Sequence, residues 1–507
     1  AVRTLGRARA PVLLYNSQHA SPHPIVAAHV TLPDGPSGLS RVVATLKVNG
    51  TPRGQGVWRG SAWPGSGPVR IAVGYDAASD STGPYRYTLE VRAHYGETTL
   101  ADTAAGELVV VNRRESVFGA GWWLAGLERL VMDPFGKPVL WVGGDGSTRR
   151  YTKAGAGDVW GAPSLDRPDS IKPMTSGGWE RILGGGVKVE FDSAGRHIAT
   201  TNRLTHRTVF RYDSAGRVEV LTIPLAQRGF SFHYAADGKL ERMESPGVGG
   251  TPRVTHLHRN GARVDSIRGP DTTSIGFGYA DARALVPTSR SNRMKVATHF
   301  SYDAAGRVAS SRLDLSTTES IVHRLRAHES LGLATSTGTG AVDTAGAYAL
   351  LDGPRTDVGD STRLWLNRWG APRRLRNAED RETVLTRGDP RFPALVTRMD
   401  GPLRADSQRR TMAASYDARG NLVAQTDSST FEERLVPDPG GGQASNRRVY
   451  ATTRYEYNDP HWPDFPTRTV LPEGESTSLG YDSLSGSRIW QKPSGDVQRD
   501  DTVRFAY

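Results

Sequence analysis

The chain has 507 residues, which is long enough to bury a large core, and 37% of them are hydrophobic. It contains no cysteine, which excludes disulfides, thiolate metal sites and a cysteine nucleophile. The net charge is +11, but the basic residues are scattered, with no run longer than a pair such as Arg149-Arg150. No apolar run approaches the ~18–20 residues of a membrane span. We therefore expect no membrane span and no nucleic-acid partner.

The first part of the chain, residues 1–114, predicts an immunoglobulin-like β-sandwich region. Short alternating segments with β-branched and aromatic residues indicate strands at 41–48, 69–75, 85–95 and 106–112, separated by turns such as Asn49-Gly50. Strands at this spacing are typical of a β-sandwich. The continuous apolar run at 108–111 predicts a central strand.

From residue 115 to 507 the sequence repeats. The clearest units are Tyr212–Val218 and Tyr302–Val308, and Phe191–Arg196 and Tyr416–Leu422 match them closely. Where the copies are dense, their first positions are 191, 212, 234 and 257, so the period is near 22 residues. This period is too short for a domain and fits one hairpin with its turns, which predicts a solenoid or a continuously wound sheet.

The repeated Tyr-Asp-x-x-Gly-Arg unit has a local physical explanation. The Tyr ends a strand, and the Asp can accept backbone N–H groups at the first turn position. The Gly takes the positive φ that closes the turn, and the Arg starts the return strand. We therefore expect Gly195, Gly216 and Gly306 at positive φ, and we expect the motif Asp residues to be structural and not catalytic.

Tyr-Asp-x-x-Gly-Arg at this period resembles the YD repeats of the Rhs family, which includes bacterial polymorphic toxins, wall-associated proteins, toxin-complex C components and teneurins. The segment Phe118-Gly119-Ala120-Gly121-Trp122 looks like the usual opening of that family's repeats. The resemblance implies an all-β chain, in which the N-terminal β-sandwich is followed by a β-hairpin spiral forming a hollow shell. It also implies a secreted or cell-surface bacterial protein, and a partner that is the C-terminal effector or toxin polypeptide of the same longer protein.

Two features bear on how much of such a protein this sequence covers. Many family members release their effector at an Asp-Pro-x-Gly-centred segment, but the two such strings here, Asp133–Gly136 and Asp438–Gly441, predict ordinary turns. The chain opens at Ala1 without a signal peptide and stops at Arg504–Tyr507, which resembles half a repeat. We expect a processed or internal piece of a longer protein, with a repeat region that is incomplete at its C-terminus.

A search for catalytic patterns finds no His-Glu-x-x-His, no phosphate-binding Gly-Lys-Ser/Thr loop and no Gly-x-Ser-x-Gly. His256 and His258 lie two apart on a predicted strand and could bind a metal, but no third ligand is evident, so a structural role is favoured. We predict no catalytic, cofactor-binding or metal-binding residue, no cofactor and no enzymatic activity. The glycine runs at 184–186 and 440–442 predict flexible turns, and the Pro-rich segment 459–466 predicts a loop.

Two functions remain open. In the first, a non-enzymatic scaffold encloses or presents a C-terminal effector. In the second, the chain is a surface adhesion module that binds a cell-surface glycan or protein. The tryptophans at 122–123, 365, 369 and 462 could stack on sugars, although aromatic residues of a sheet more often pack in the core.

Overall fold

The computed structural model describes residues 11–32, 37–63, 67–154, 158–162, 169–223, 228–303, 306–316, 318–326, 349–355, 357–367, 370–404, 409–432, 446–494 and 502–505. Several residues on which predictions rest lie outside these ranges. Trp369 and the segment 438–442 are outside the described residues, as are Ala506 and Tyr507. No described helix is long and apolar enough to cross a membrane.

The N-terminal part begins with a short strand and one helical turn and continues as two sheets. Its elements are β1 (Leu13–Tyr15), α1 (Ser17–Ala20), β2 (Ile25–Val30), β3 (Arg41–Val48), β4 (Thr51–Arg59), β5 (Val69–Gly74), β6 (Gly83–Tyr95) and β7 (Thr98–Val110), with a 3-10 turn at Gly60–Ala62.

The two sheets, β4-β3-β6-β7 and β2-β5, share one apolar core. In β3 the buried positions alternate with partly exposed ones, and Val42, Leu46 and Val48 face this core beside Ile71 of β5. This confirms the predicted N-terminal β-sandwich.

The prediction of a central strand at 108–111 is wrong. Among the described strands β7 pairs with β6 and ends the sheet order. Most of β7 is exposed, and its contacts with the core come from Leu100, Leu108 and Val110. The apolar run at 108–111 therefore indicates partial burial in an edge strand and not a central position in the sheet.

The next strands begin the second part of the chain. They are β8 (Trp122–Leu124), β9 (Arg129–Met132), β10 (Pro138–Val142) and β11 (Thr148–Arg150). β8 pairs with β1, and β9, β10 and β11 form a small antiparallel sheet.

The later strands of the described residues form one antiparallel sheet of 29 strands in chain order. They are β12 (Thr152–Lys153), β13 (Trp160–Gly161), β14 (Ser170–Pro173), β15 (Trp179–Ile182), β16 (Lys188–Phe191), β17 (His197–Thr201), β18 (Arg207–Tyr212), β19 (Val218–Ile223), β20 (Arg228–Tyr234), β21 (Leu240–Ser245), β22 (Arg253–Asn260), β23 (Arg263–Arg268), β24 (Ser274–Tyr279), β25 (Pro287–Ser291), β26 (Ala297–Tyr302), β27 (Val308–Asp314), β28 (Ser320–Arg326), β29 (Ala349–Asp352), β30 (Thr362–Leu366), β31 (Pro372–Arg376), β32 (Glu382–Thr386), β33 (Arg398–Leu403), β34 (Arg409–Tyr416), β35 (Leu422–Glu432), β36 (Asn446–Glu456), β37 (Arg468–Val470), β38 (Ser476–Tyr481), β39 (Arg488–Pro493) and β40 (Val503–Arg504). A 3-10 turn at Val248–Gly250 precedes β22.

Each strand of the long sheet pairs with the next one in sequence because the repeat turns reverse the chain. Gly195, Gly216 and Gly306 have φ of 77°, 77° and 73°, as predicted for the motif. The pairing register shifts at the motif tyrosine, for example between Arg211 and Tyr212, which is the signature of a β-bulge. The predicted all-β fold and its hairpin repeats are confirmed.

The chain divides into two compact units. Unit 1 comprises Ala1–Arg150, Ser193–Ile198 and Val209–Trp365, and unit 2 comprises Tyr151–Asp192, Ala199–Thr208 and Leu366–Tyr507. The boundary that we expect between residues 114 and 115 remains a prediction about domain organisation.

Each unit has its own buried residues. Unit 1 contains, besides the sandwich core, a second cluster that joins Phe118 and Leu124 to Phe232 and Leu257 of the long sheet. In unit 2, Asp169 accepts hydrogen bonds from the Tyr151 hydroxyl at 2.9 Å and from Arg181, whose side chain is almost fully buried. A buried ion pair of this kind is tolerated because both partners are also hydrogen-bonded.

Candidate functional site

The turn of the repeat is well illustrated by residues 213–217. The Gly216 N–H donates to the Asp213 carbonyl at 3.0 Å, and the Asp213 N–H donates to the Arg217 carbonyl at 2.9 Å. The Asp213 carboxylate accepts the backbone N–H groups of Ala215 and Arg217 and the Arg217 guanidinium at 2.7 Å. Burial acts to raise the pKa of Asp213, but these hydrogen bonds outweigh it and hold the pKa below its usual range. The hydrogen bonds of the Asp213 carboxylate therefore stabilise the turn.

The motif tyrosine ties its own hairpin to the preceding one. The Tyr212 hydroxyl donates to the His197 carbonyl, and the Tyr234 hydroxyl donates to the Val218 carbonyl, both at 2.7 Å. The same bond recurs from Tyr279 to Val264, Tyr302 to Pro287, Tyr416 to Val396 and Tyr481 to Pro466. Burial raises the pKa of Tyr302 to about 12, so this hydroxyl keeps its proton and acts as a donor.

In two of the described repeats the motif arginine links its repeat to the next one. The Arg217 guanidinium lies over the Tyr234 ring, 4.5 Å from its centre, and the Arg196 guanidinium lies over the Tyr212 ring at 5.0 Å. Such cation–π contacts add roughly 0.5–2 kcal/mol each. The Tyr, Asp, Gly and Arg positions of the motif thus all have structural roles, which leaves the search for a functional site to the surfaces between the turns.

An apolar groove in unit 1 is the strongest candidate for a binding site. It has a volume of about 540 Å³, within the range of small-ligand pockets. Most of its lining is aliphatic or aromatic: Leu13, Leu14, Tyr15, Asn16, Ser17, Trp122, Ile267, Ile275, Phe277, Pro287, Arg290, Phe300, Tyr302 and Val308.

The groove forms because β1, paired with β8, packs against strands of the long sheet. Tyr15 of β1 pairs with Trp122 of β8, and the two rings lie 5.3 Å apart. The Trp122 ring meets the Phe277 ring edge-on at 5.0 Å, and the Tyr15 hydroxyl donates to the Leu285 carbonyl at 3.2 Å. These contacts hold one wall of the groove against the strands that form the other.

Two polar groups in the groove lack a partner among the described residues. Arg290 lies opposite Phe277 and Thr298 and is exposed, and no carboxylate lies within ion-pair distance of it in the described part of the chain. The Trp122 ring is 5% exposed, and no described group accepts a hydrogen bond from its indole N–H. The groove therefore suits an apolar segment that carries an acceptor or an acidic group.

A second cavity of about 360 Å³, lined in part by His19, His23 and Thr148, lies elsewhere in unit 1. The nearby Arg113 is buried, donates to the carbonyls of Gly143 and Gly144 and lies over the Trp123 ring at 4.7 Å.

Burial lowers the pKa of Arg113 to about 10. Burial also lowers the pKa of His19 to about 4; the positive charge of Arg113 lowers it further, and the negative charge of Asp145 acts in the opposite direction. Sequence reasoning missed both residues because no repeat or catalytic pattern marks them.

The two histidines that were considered for a metal lie side by side on β22, with ring centres 6.4 Å apart. Within the described residues no group of three His, Cys, Asp or Glu side chains is arranged to hold a metal. The structure therefore adds no third ligand to His256 and His258.

The tryptophans considered for sugar stacking are mostly packed against protein. Trp122 and Trp365 are 5% and 4% exposed. Trp462 stacks on Phe465 at 5.4 Å, and its indole N–H donates to the Asp482 carbonyl at 2.9 Å. The segment 459–466 that contains it is a loop between β36 and β37, as predicted.

The described Asp-Pro-x-Gly string and the first glycine run also form turns, as predicted. The Asp133 carboxylate accepts the backbone N–H groups of Phe135 and Lys137, and Gly136 has a φ of 72°. Gly185 and Gly186 have positive φ. The second string and the second glycine run, within 438–442, lie outside the described residues.

No family model matches this sequence, and no curated protein sequence matches it. Solved structures do match. A TcdB2-TccC3 chain without its hypervariable C-terminal region has a TM-score of 0.44 and 11% identity, covering 86% of this chain and 27% of that one. A TcdB2-TccC3-TEV chain has a TM-score of 0.39 with 11% identity over 83% of this chain and 27% of that one. The Tc holotoxin pore of Photorhabdus luminescens has a TM-score of 0.35 with 11% identity, again over 86% and 27%.

The matched structures are thus toxin-complex chains, and this chain spans about a quarter of their length. At these TM-scores the likeness carries no argument, so the fold assignment rests on the strand pairing and the turn geometry of the chain itself.

Proposed function

We propose that the chain is a non-enzymatic Rhs-type YD-repeat scaffold that encloses or presents an effector polypeptide of the same longer protein, in a hollow shell built by the hairpin sheet. We place it outside a bacterial cell, secreted or at the surface. The effector polypeptide is the proposed partner.

The observation that carries this proposal is the apolar groove beside the hairpin sheet that the described strands form. Its aromatic wall and the free cation of Arg290 match an unfolded polypeptide, which offers both apolar side chains and carboxylates. Burial of apolar area contributes about 25 cal/mol per Å², so an apolar segment that fills the groove would gain several kcal/mol. The assignment of the motif Asp residues to turns supports a chain without chemistry of its own.

The absence of cysteine provides a direct test. Val308→Cys places a single thiol in the groove, where Val308 is 36% exposed, and Val57→Cys places a control thiol on the sandwich, where Val57 is 57% exposed. Each variant carries a thiol-linked photo-crosslinker and is irradiated with reduced, carboxymethylated α-lactalbumin as an unfolded polypeptide.

We expect crosslinking from Val308→Cys to exceed that from the control by about tenfold, because exposure alone favours the control site. Equal yields from the two positions would remove the groove as a polypeptide-binding site. The same irradiation with folded, disulfide-intact α-lactalbumin should give little product from either position.

A further inference from the structure

A row of basic side chains crosses four strands of the long sheet in unit 1. His233 of β20 pairs with Arg242 of β21, which pairs with His256 of β22, which pairs with Arg268 of β23. His258 projects from the same side of β22, because residues two apart on a strand face the same way. We call the four residues on β21, β22 and β23 the basic row: Arg242, His256, His258 and Arg268. His233 of β20 lies beside the row and is not counted in it.

The opposite face of these strands is fixed in the core. Phe232, Met243 and Leu257 alternate with the residues of the row and are 3%, 7% and 4% exposed. The backbone that carries the basic row is therefore held by packing, so the side chains are presented at a set spacing. Neighbouring strands lie about 4.8 Å apart, and the three strands of the row place its outer cations roughly 10 Å apart.

Three of the four side chains of the row lack the counter-charges that accompany many other arginines of this sheet. His256, His258 and Arg268 are exposed, and none has a carboxylate within ion-pair distance in the described part of the chain. Arg242, in contrast, lies 3.0 Å from Glu244 and 3.9 Å from Glu241, and Glu244 also lies 3.4 Å from His233.

Examples of paired arginines on the sheet are Arg207 with Glu190 at 2.6 Å, Arg312 with Asp314 at 2.9 Å and Arg398 with Asp400 at 2.7 Å.

Like charges directly opposite each other on neighbouring strands destabilise a sheet. The row places Arg242 and Arg268 on either side of His256, so any proton on His256 adds to that repulsion. An external anion would relieve it, since guanidinium and imidazole N–H groups form strong bonds to charged oxygens.

We propose that the basic row binds the sulfate or phosphate ester groups of a linear acidic polysaccharide. A polymer fits better than a single small anion, because the row lies on an open strand face and the two cavities described above are lined by other residues. The net charge of +11 attracts polyanions over a distance. A polysaccharide fits better than a nucleic acid, because the row has no Phe, Tyr or Trp on which bases could stack.

The test uses the full chain and dextran sulfate, with neutral dextran and single-stranded DNA as comparison ligands. The triple variant His256→Gln, His258→Gln, Arg268→Gln replaces the side chains of the row that have no ion-pair partner among the described residues. A matched control, His299→Gln, His323→Gln, Arg312→Gln, removes the same residue types from the same sheet, where His299 and Arg312 share Asp314.

We expect the chain to bind dextran sulfate more tightly than DNA and not to bind neutral dextran. The row variant should lose about tenfold or more in affinity, and the control should change by about twofold or less. The row variant should also keep or raise the unfolding temperature, because it removes the charge of Arg268, which has no ion-pair partner among the described residues. The proposal is overturned if both triple variants lose affinity equally, if DNA binds as tightly as dextran sulfate at the same salt, or if dextran sulfate does not bind.

Discussion

Replacing Gly195 by alanine should destabilise unit 1 far more than the same change at Gly306, although both glycines occupy the same motif position with nearly the same φ, 77° and 73°. At either site an alanine adopts a left-handed backbone, which costs roughly 1–2 kcal/mol. The lower entropy of the unfolded chain offsets about 0.4–1 kcal/mol of this. The backbone effect alone therefore predicts a loss of about 1 kcal/mol for each variant.

The two substitutions differ in cost because the atoms around the two glycines differ. A Cβ on Gly195 would lie against the Leu130 carbonyl, 3.0 Å from its carbon and 3.2 Å from the Leu130 Cβ, and closer still to its oxygen. A Cβ on Gly306 would meet no described atom within 4 Å. Leu130 is buried, and its N–H donates to the Gly195 carbonyl at 2.9 Å, so the two backbones are joined and cannot separate freely.

Moving these backbones apart breaks a hydrogen bond worth about 1 kcal/mol and strains a packed region by about 1–3 kcal/mol. We expect a total loss of about 4 kcal/mol for Gly195→Ala and about 1 kcal/mol for Gly306→Ala. Urea unfolding followed by tryptophan fluorescence measures both losses. Hydrogen exchange of peptides that contain the Leu130 amide should accelerate only in Gly195→Ala. Equal unfolding midpoints and equal exchange for the two variants would refute the assigned contact.

Two further predictions concern the hydroxyl and imidazole groups of unit 1. Tyr234→Phe removes the bond to the Val218 carbonyl and should lower the free energy of unfolding by about 1 kcal/mol. Tyr85→Phe, which removes an exposed bond to Ser81 that water can replace, should lower it less; a reversed order would contradict the role of the motif tyrosine. The folded-state pKa of His19, about 4, lies below the unfolded value of 6.5, so the unfolded chain binds the proton first. Stability should be constant above pH 6.5 and fall by up to ~3 kcal/mol as the pH drops from 6.5 to 4, and urea unfolding across this range should show a shallower pH dependence for His19→Gln.

The features that the sequence determined alone are those in which neighbouring residues decide the structure. Strand β3 has the predicted limits, because alternation of apolar and polar residues selects one buried face within a single strand. The glycines of the Tyr-Asp-x-x-Gly units have positive φ, because a turn of this length requires it whatever surrounds the turn.

The tertiary structure decided everything that depends on residues far apart in the sequence. The pairing of β1 with β8, which creates one wall of the apolar groove, joins residues more than a hundred positions apart, and no local pattern encodes such a pair. The same holds for the buried Arg113 and His19, for the edge position of β7 and for the burial of Trp122 and Trp365. The basic row was visible in the sequence only as His256 and His258, because Arg242 and Arg268 become their neighbours only through strand register. The conformation of a turn depends on a few neighbouring residues, so it can be predicted from the sequence. Strand register and the packing of distant segments depend on burial summed over the whole fold, so they are seen only in the tertiary structure.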